Sequence, residues 1–174
     1  MNRKTIFSPD RLYRYTLWRE FYAVKASNPP LLPVEGNQAH NFVQFIGLNP
    51  STADETLDDP TIRRCIGFAK AWGYGAMCMT NLFAWRDTDP EKMKRSLDAV
   101  GGENDTWLKR IYHHSGIAIA AWGKHGSFQG RGEFVKNLLQ KSEAFPKLHY
   151  LALNNDGSPK HPLYLPKTLT PLPL

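Results

Sequence analysis

The chain has 174 residues, 41% of them hydrophobic, with 22 Lys and Arg against 16 Asp and Glu and a formal charge of +6. That supplies apolar material for one core of ordinary domain size and excludes an intrinsically disordered chain. Two cysteines exclude a disulfide framework, no run approaches the roughly 20 apolar residues of a membrane span, and the N-terminus MNRKTIFSPD is too polar for a signal-peptide core.

A cytoplasmic protein without membrane attachment is therefore expected. Residues 1–36 read as an N-terminal strand or hairpin and linker, and residues 37–174 as an α/β core, within a single domain. The basic residues are scattered, so charge alone fits either an anionic partner, nucleic acid or nucleotide, or a plain soluble surface. Neither Cys65 nor Cys78 has metal-ligand spacing; no metal or cofactor is expected, and no obligate protein partner is evident.

In chain order, LYRYTLWREF (12–21) alternates and is rich in aromatic and β-branched residues, which predicts an edge strand or hairpin arm. SNPPLLPVEGN (27–37) reads as a linker. Four apolar runs follow, FVQFIG, AMCMTNLFAW, GIAIAAWG and LHYLALN, separated by helical patterns. That alternation predicts a three-layer α/β/α fold with a central, mainly parallel, four-stranded sheet. Asp59 before Pro60 is an N-cap with proline at the first helical position, and Ile62, Cys65, Ile66, Ala69 and Trp72 recur at helical spacing. Asp89-Pro90 repeats the device for a short helix. Glu103 to His114 is the next candidate, with Trp107, Leu108 and Ile111 apolar. Gly130 to Lys141 is the last, expected to bury Phe134, Val135, Leu138 and Leu139.

Open α/β sheets bind ligands outside the carboxyl ends of their strands, so residues just after each strand are the candidate site. Gly47-Leu48-Asn49-Pro50 follows FVQFI: glycine permits a sharp departure, and Pro50 pushes Asn49 out of helical geometry. Asn49 there either caps its own backbone in an Asx-type turn or is presented at the strand tip. Ser51 and Asp54 read as turn and capping groups or as contacts to a sugar or phosphate. Asn81, near the end of an apolar strand, must find partners or cost roughly 1–3 kcal/mol. It is either structural or a reader of a base edge, its amide offering the donor and acceptor that a pyrimidine's N3–H and O4 require. Trp122-Gly123 closes GIAIAAWG, with His125 just beyond. His161, between Pro159 and Pro162, is in the stiffer histidine loop.

Taken together, Gly47-Leu48-Asn49-Pro50, MTNLF, IAIAAWG and His161-Pro162-Leu163 resemble, in order, the strand-end motifs of the uracil-DNA glycosylase superfamily over roughly residues 42–165. The run LNPSTADETLDDPTIRRC further resembles a bacterial and phage family of unknown function with an L-N-P-S-T-A-D signature. The resemblance implies a glycosylase-like fold and hydrolysis of the N-glycosidic bond of a modified or deaminated base, in DNA rather than RNA, with the base flipped out. It implies that Asn49 and His161 are catalytic, Asn49 orienting water and His161 donating to the departing base. It further implies that Gly47, Leu48, Pro50, Ser51, Asp54, Asn81, Trp122 and Gly123 contact substrate. Asp54 would supply the carboxylate that Asn49 lacks. Phe83, Trp85, Trp122 and Tyr164 are candidates for the ring that stacks on the base, and Arg63, Arg64 and Lys160 for phosphate contacts. Two other readings remain open, a non-catalytic nucleic-acid or nucleobase-binding module and an enzyme acting on free nucleotides or nucleosides.

Overall fold

The computed structural model describes residues 1–21, 41–141 and 148–174. The expected linker at 27–37 lies outside them. Among the described residues seven strands form one sheet: β1 (Asn2–Phe7), β2 (Arg14–Glu20), β3 (Phe42–Gly47), β4 (Ala76–Asn81), β5 (Ile117–Ala120), β6 (Leu148–Tyr150) and β7 (Leu172–Pro173), in the order β1-β2-β4-β3-β5-β6-β7. β4, β3, β5 and β6 run parallel, while β1, β2 and β7 are antiparallel to their neighbours. The sheet is thus larger than the four strands expected, and the N-terminal hairpin belongs to it. β2 is not an edge: it pairs with β1 on one side and β4 on the other.

Among the described residues four α-helices cover the sheet: α1 (Pro60–Ala71), α2 (Pro90–Lys94), α3 (Asn104–His114) and α4 (Arg131–Gln140). Alternation along each strand divides the core between the two faces. Leu17, Val43, Phe45, Met77, Met79 and Ile119 pack with Ile62, Cys65 and Phe68 of α1. On the opposite face, Ile46, Ala118 and Ala120 pack with Leu108, Tyr112, Val135 and Leu139 of α3 and α4, and Trp18, Phe42 and Cys78 with Ile111. α1 begins as expected, the Asp59 side chain accepting the Ile62 N–H at 2.8 Å with Pro60 at the first helical position. Phe134, by contrast, is 51% exposed and lies under the Arg131 guanidinium, while Leu138 is half-buried. Among the described residues no helix is long and apolar enough to cross a membrane.

The chain leaves β3 toward one side, through α1 to β4, and returns through α2 and α3 to β5 on the other side of β3. The strand order therefore reverses at β3. In an open α/β sheet such a reversal opens a crevice at the carboxyl ends of the strands.

A cleft where the strand order reverses

A cleft of about 450 Å³ occupies that position. β3 and the turn after it contribute Gly47, Leu48, Asn49 and Ser51; β4 contributes Met79 and Asn81; β5 leads into Ala121, Trp122 and Gly123; and the loop after β6 brings His161 and Pro162. The four strand-end motifs thus converge on one cleft, which contains the expected residues Gly47, Leu48, Asn49, Ser51, Asn81, Trp122, Gly123 and His161.

The turn after β3 is pinned from both ends. Asp87 N–H donates to the Pro50 carbonyl at 3.0 Å, while Asn49 Nδ2 donates to the Asp87 carbonyl at 2.8 Å and the Pro50 carbonyl at 3.3 Å. Asn49 therefore bridges two segments rather than only capping its own turn. With Nδ2 committed, its Oδ1 is the end left to accept a proton from something in the cleft.

Asn81 closes β4, opposite Gly47 in the parallel register. Its backbone is held from behind: Asn104 Nδ2 donates to the Asn81 and Leu82 carbonyls at 3.0 Å each, and Arg131 Nε donates to Leu82 at 2.9 Å. The side chain, only 2% exposed, forms no hydrogen bond within the described residues, and its Nδ2 is fully buried without a partner. Gly47 makes room for it. A Cβ at position 47 would lie 2.8 Å from Asn81 Oδ1, so glycine is required there for close approach rather than for the departure of the chain from the strand.

Gly123 has φ +71° and ψ −172°, a region open essentially to glycine alone, and donates to the Pro159 carbonyl at 3.0 Å. That bond ties the end of β5 to the His161 loop. His161 sits at the cleft rim, where the surrounding protein lowers the imidazole's pKa below its usual value, an effect partly opposed by the Asp59 carboxylate. Leu163 N–H approaches His161 Nδ1 at 3.4 Å, which favours the neutral tautomer with the proton on Nε2. Trp122 is 5% exposed, its ring wedged against Gly126 and Gly132. Of the four stacking candidates it alone lines the cleft: Phe83 is core, Trp85 packs edge-on against Tyr13, and Tyr164 is 90% exposed outside it.

Several expected residues lie elsewhere. Asp54 does not reach the cleft; its Oδ1 accepts Thr56 N–H, Thr56 Oγ1–H and Leu57 N–H within its own turn, and these bonds, the Leu57 and Thr56 amides foremost, pull its pKa down to about 2. Pro50 is buried beneath the turn. Arg63 and Arg64 border a separate groove of about 250 Å³ with Lys167, and Lys160 is exposed outside both.

Besides Lys124 and the strand-end His125, the cleft holds Asp59, Asp87 and Arg14, which the sequence alone did not place there. Asp59 lines it with one oxygen spent on the Ile62 cap and the other without a hydrogen-bond partner among the described residues. Asp87, Lys124 and His125 lie along its rim, His125 Nδ1 being 3.1 Å from Lys94 Nζ. Asp59 holds its place because the preceding loop is clamped. Arg19, completely buried, donates from Nε to Asp58 at 2.6 Å and from Nη2 to the Asp54 and Leu57 carbonyls, and Arg3 pairs with Asp58 at 2.9 Å. Arg14 also lines the cleft from the start of β2, 2% exposed.

No curated protein and no solved structure matches the chain. Residues 14–163, the span that carries every cleft residue named above, match a family model, and the chain belongs to the family described as "Protein of unknown function (DUF1643)".

Proposed function

We propose that the cleft binds a nucleobase and hydrolyses the N-glycosidic bond joining it to its sugar, as in the uracil-DNA glycosylases that the strand-end motifs resemble, with a modified or deaminated base as substrate. The observation that carries this reading is the Asn81 amide. A buried donor without a partner costs roughly 1–3 kcal/mol, and here it borders a cleft at the topological reversal of the sheet. A ligand with an adjacent acceptor and donor, such as O4 and N3–H of a pyrimidine, satisfies both ends of that amide.

Bond cleavage builds cationic character on the sugar and negative charge on the departing base, so the site must stabilise both and deliver water. Neutral His161 donates from Nε2 to a base oxygen as charge accumulates, and Asn81 holds the base edge. Asn49 Oδ1 accepts one proton of the attacking water and orients it, but an amide cannot take that proton away. Asp59, whose free oxygen faces the same cleft, supplies the carboxylate in place of Asp54. The water oxygen bonds to C1′, its proton passes to Asp59, and the C1′–N pair leaves with the base.

The test is release of free uracil, followed by chromatography, from an oligonucleotide carrying one deoxyuridine and from 2′-deoxyuridine 5′-monophosphate. Release from either substrate, lost in Asn49→Ala and His161→Ala, is expected. Tight binding of both without release would make the chain a nucleobase-binding module instead. Action on a free nucleotide rather than DNA is favoured by one observation, the placement of Arg14.

A further inference from the structure

Arg14 is the one buried charge in the cleft that the reaction above does not use. Its Nη1 donates to the Ala53 carbonyl at 2.6 Å; among the described residues its Nε has no hydrogen-bond partner and no carboxylate forms an ion pair with it. Of the carboxylates facing the same cleft, Asp59 acts on it through its charge but forms no ion pair or hydrogen bond with it, and Asp87 accepts the Asp89 N–H at 2.9 Å. Keeping a guanidinium buried outside an ion pair costs several kcal/mol. Burial lowers its pKa to about 10, an effect partly opposed by the Asp59 carboxylate, so it remains charged at neutral pH.

The backbone aims Arg14 into the cleft. Ile6 pairs with Thr16 and Phe7 with Arg14, so β2 carries one extra residue, Tyr15, at a bulge. In an unbroken strand Arg14 and Arg19, five apart, would face opposite sides of the sheet. The bulge brings both to the same side, where Arg14 reaches Ala53 and Arg19 reaches Asp54. In sheet order the cleft then runs from Arg14 on β2 past Asn81 and Asn49 to Gly123 after β5, three strand spacings or roughly 14 Å. On that row Arg14 stands one strand spacing from Asn81, so a nucleotide would bind with its phosphate beside the strand whose amide holds its base.

We propose that Arg14 is an anion site at the buried end of the cleft, and that the anion is the terminal phosphate of a mononucleotide whose base Asn81 holds. This rests on the base-binding reading. An internal phosphate of a strand is a diester whose chain must continue on both sides, which a guanidinium only 2% exposed disfavours. A monoester ends at the site and presents three free oxygens to the guanidinium fork.

The experiment is titration calorimetry of the full chain with 2′-deoxyuridine, its 5′-monophosphate and a single-stranded oligonucleotide with one internal deoxyuridine, alongside thermal unfolding in inorganic phosphate. The monophosphate is expected to bind about ten- to a hundredfold more tightly than the nucleoside, the effect of one or two charge-assisted hydrogen bonds. The oligonucleotide is expected to bind no better than the nucleoside, and inorganic phosphate to raise the Tm. Arg14→Gln removes the preference and the phosphate-induced rise; Arg14→Lys, which keeps the charge without the fork, retains the fold and loses most of the preference. Equal affinity for nucleoside and monophosphate, or a preference that survives both substitutions, overturns the anion site and leaves base binding standing. Tight oligonucleotide binding with the same Arg14 dependence overturns the terminal phosphate. A phosphate-induced rise with no affinity for nucleoside or nucleotide instead removes the base-binding reading, and the mononucleotide assignment with it.

Discussion

Replacing Asn81 by leucine separates fitness for folding from fitness for binding. The two side chains branch alike, but leucine removes a buried amide whose Nδ2 has no partner. Relief of that donor is worth about 1–3 kcal/mol. Against this stands the larger volume of two methyl groups in a site only 2% exposed, a misfit of about 1 kcal/mol that the missing Cβ of Gly47 softens. The net is between zero and about 2 kcal/mol of added stability, a rise in Tm of up to about 8 °C for a chain of this size. Urea denaturation of both proteins reads the difference, and calorimetry with 2′-deoxyuridine 5′-monophosphate reads the accompanying loss of binding. A destabilisation beyond about 1 kcal/mol would show that the Asn81 amide has a structural role and would refute the reasoning.

Three further substitutions or conditions probe the neighbouring groups. Gly47→Ala, whose Cβ would meet Asn81 Oδ1 at 2.8 Å, should cost about 1–3 kcal/mol in a denaturant titration and abolish base binding by displacing the amide. Asp59→Asn keeps a competent N-cap for α1, so stability should hold while uracil release falls about 10²- to 10⁴-fold; Asp59→Ala should lose about 1 kcal/mol besides. Full turnover in Asp59→Asn would assign proton removal elsewhere. The lowered pKa of His161 gives a pH signature: the folded state binds the proton less readily than the unfolded chain, so its contribution to stability is complete above pH 6.5 and declines as pH falls from there through the folded value. The rate of base release should accordingly stay level between about pH 6.5 and 8, because the neutral imidazole is the donor. A rate that falls as pH rises through that window would require an imidazolium donor.

What the sequence disclosed depended on how locally each feature is determined. The strand tips at Asn49, Asn81, Trp122-Gly123 and His161 were legible because apolar runs end there, and the topology then brings them together. The start of α1 was legible because Asp59-Pro60 is a complete local signal. β1 and β7 were not, since NRKTIF is too polar and Leu172–Pro173 too short to read as strands; each exists by pairing with distant residues. The choice between Asp54 and Asp59 was hidden for the same reason. Both stand in one acidic run, and the grip of Arg3 and Arg19 on the intervening loop, from some 35 to 55 residues away, accompanies one carboxylate turned into its own bend and the other facing the cleft. Arg14 was hidden by the bulge at Tyr15, which changes the face of a single residue within an otherwise regular alternation. The helical period of α4 places Phe134 beside its buried residues, yet Phe134 forms the outer surface beneath Arg131.

The most direct measurement is of the Asn81 side-chain amide itself. In a ¹⁵N-labelled chain titrated with 2′-deoxyuridine 5′-monophosphate, one side-chain NH₂ pair, identified by its absence in Asn81→Leu, should shift downfield and exchange more slowly as its unpaired donor acquires an acceptor. An Asn81 signal that stays fixed while the ligand binds, or a ligand that does not bind at all, would contradict the base-binding cleft.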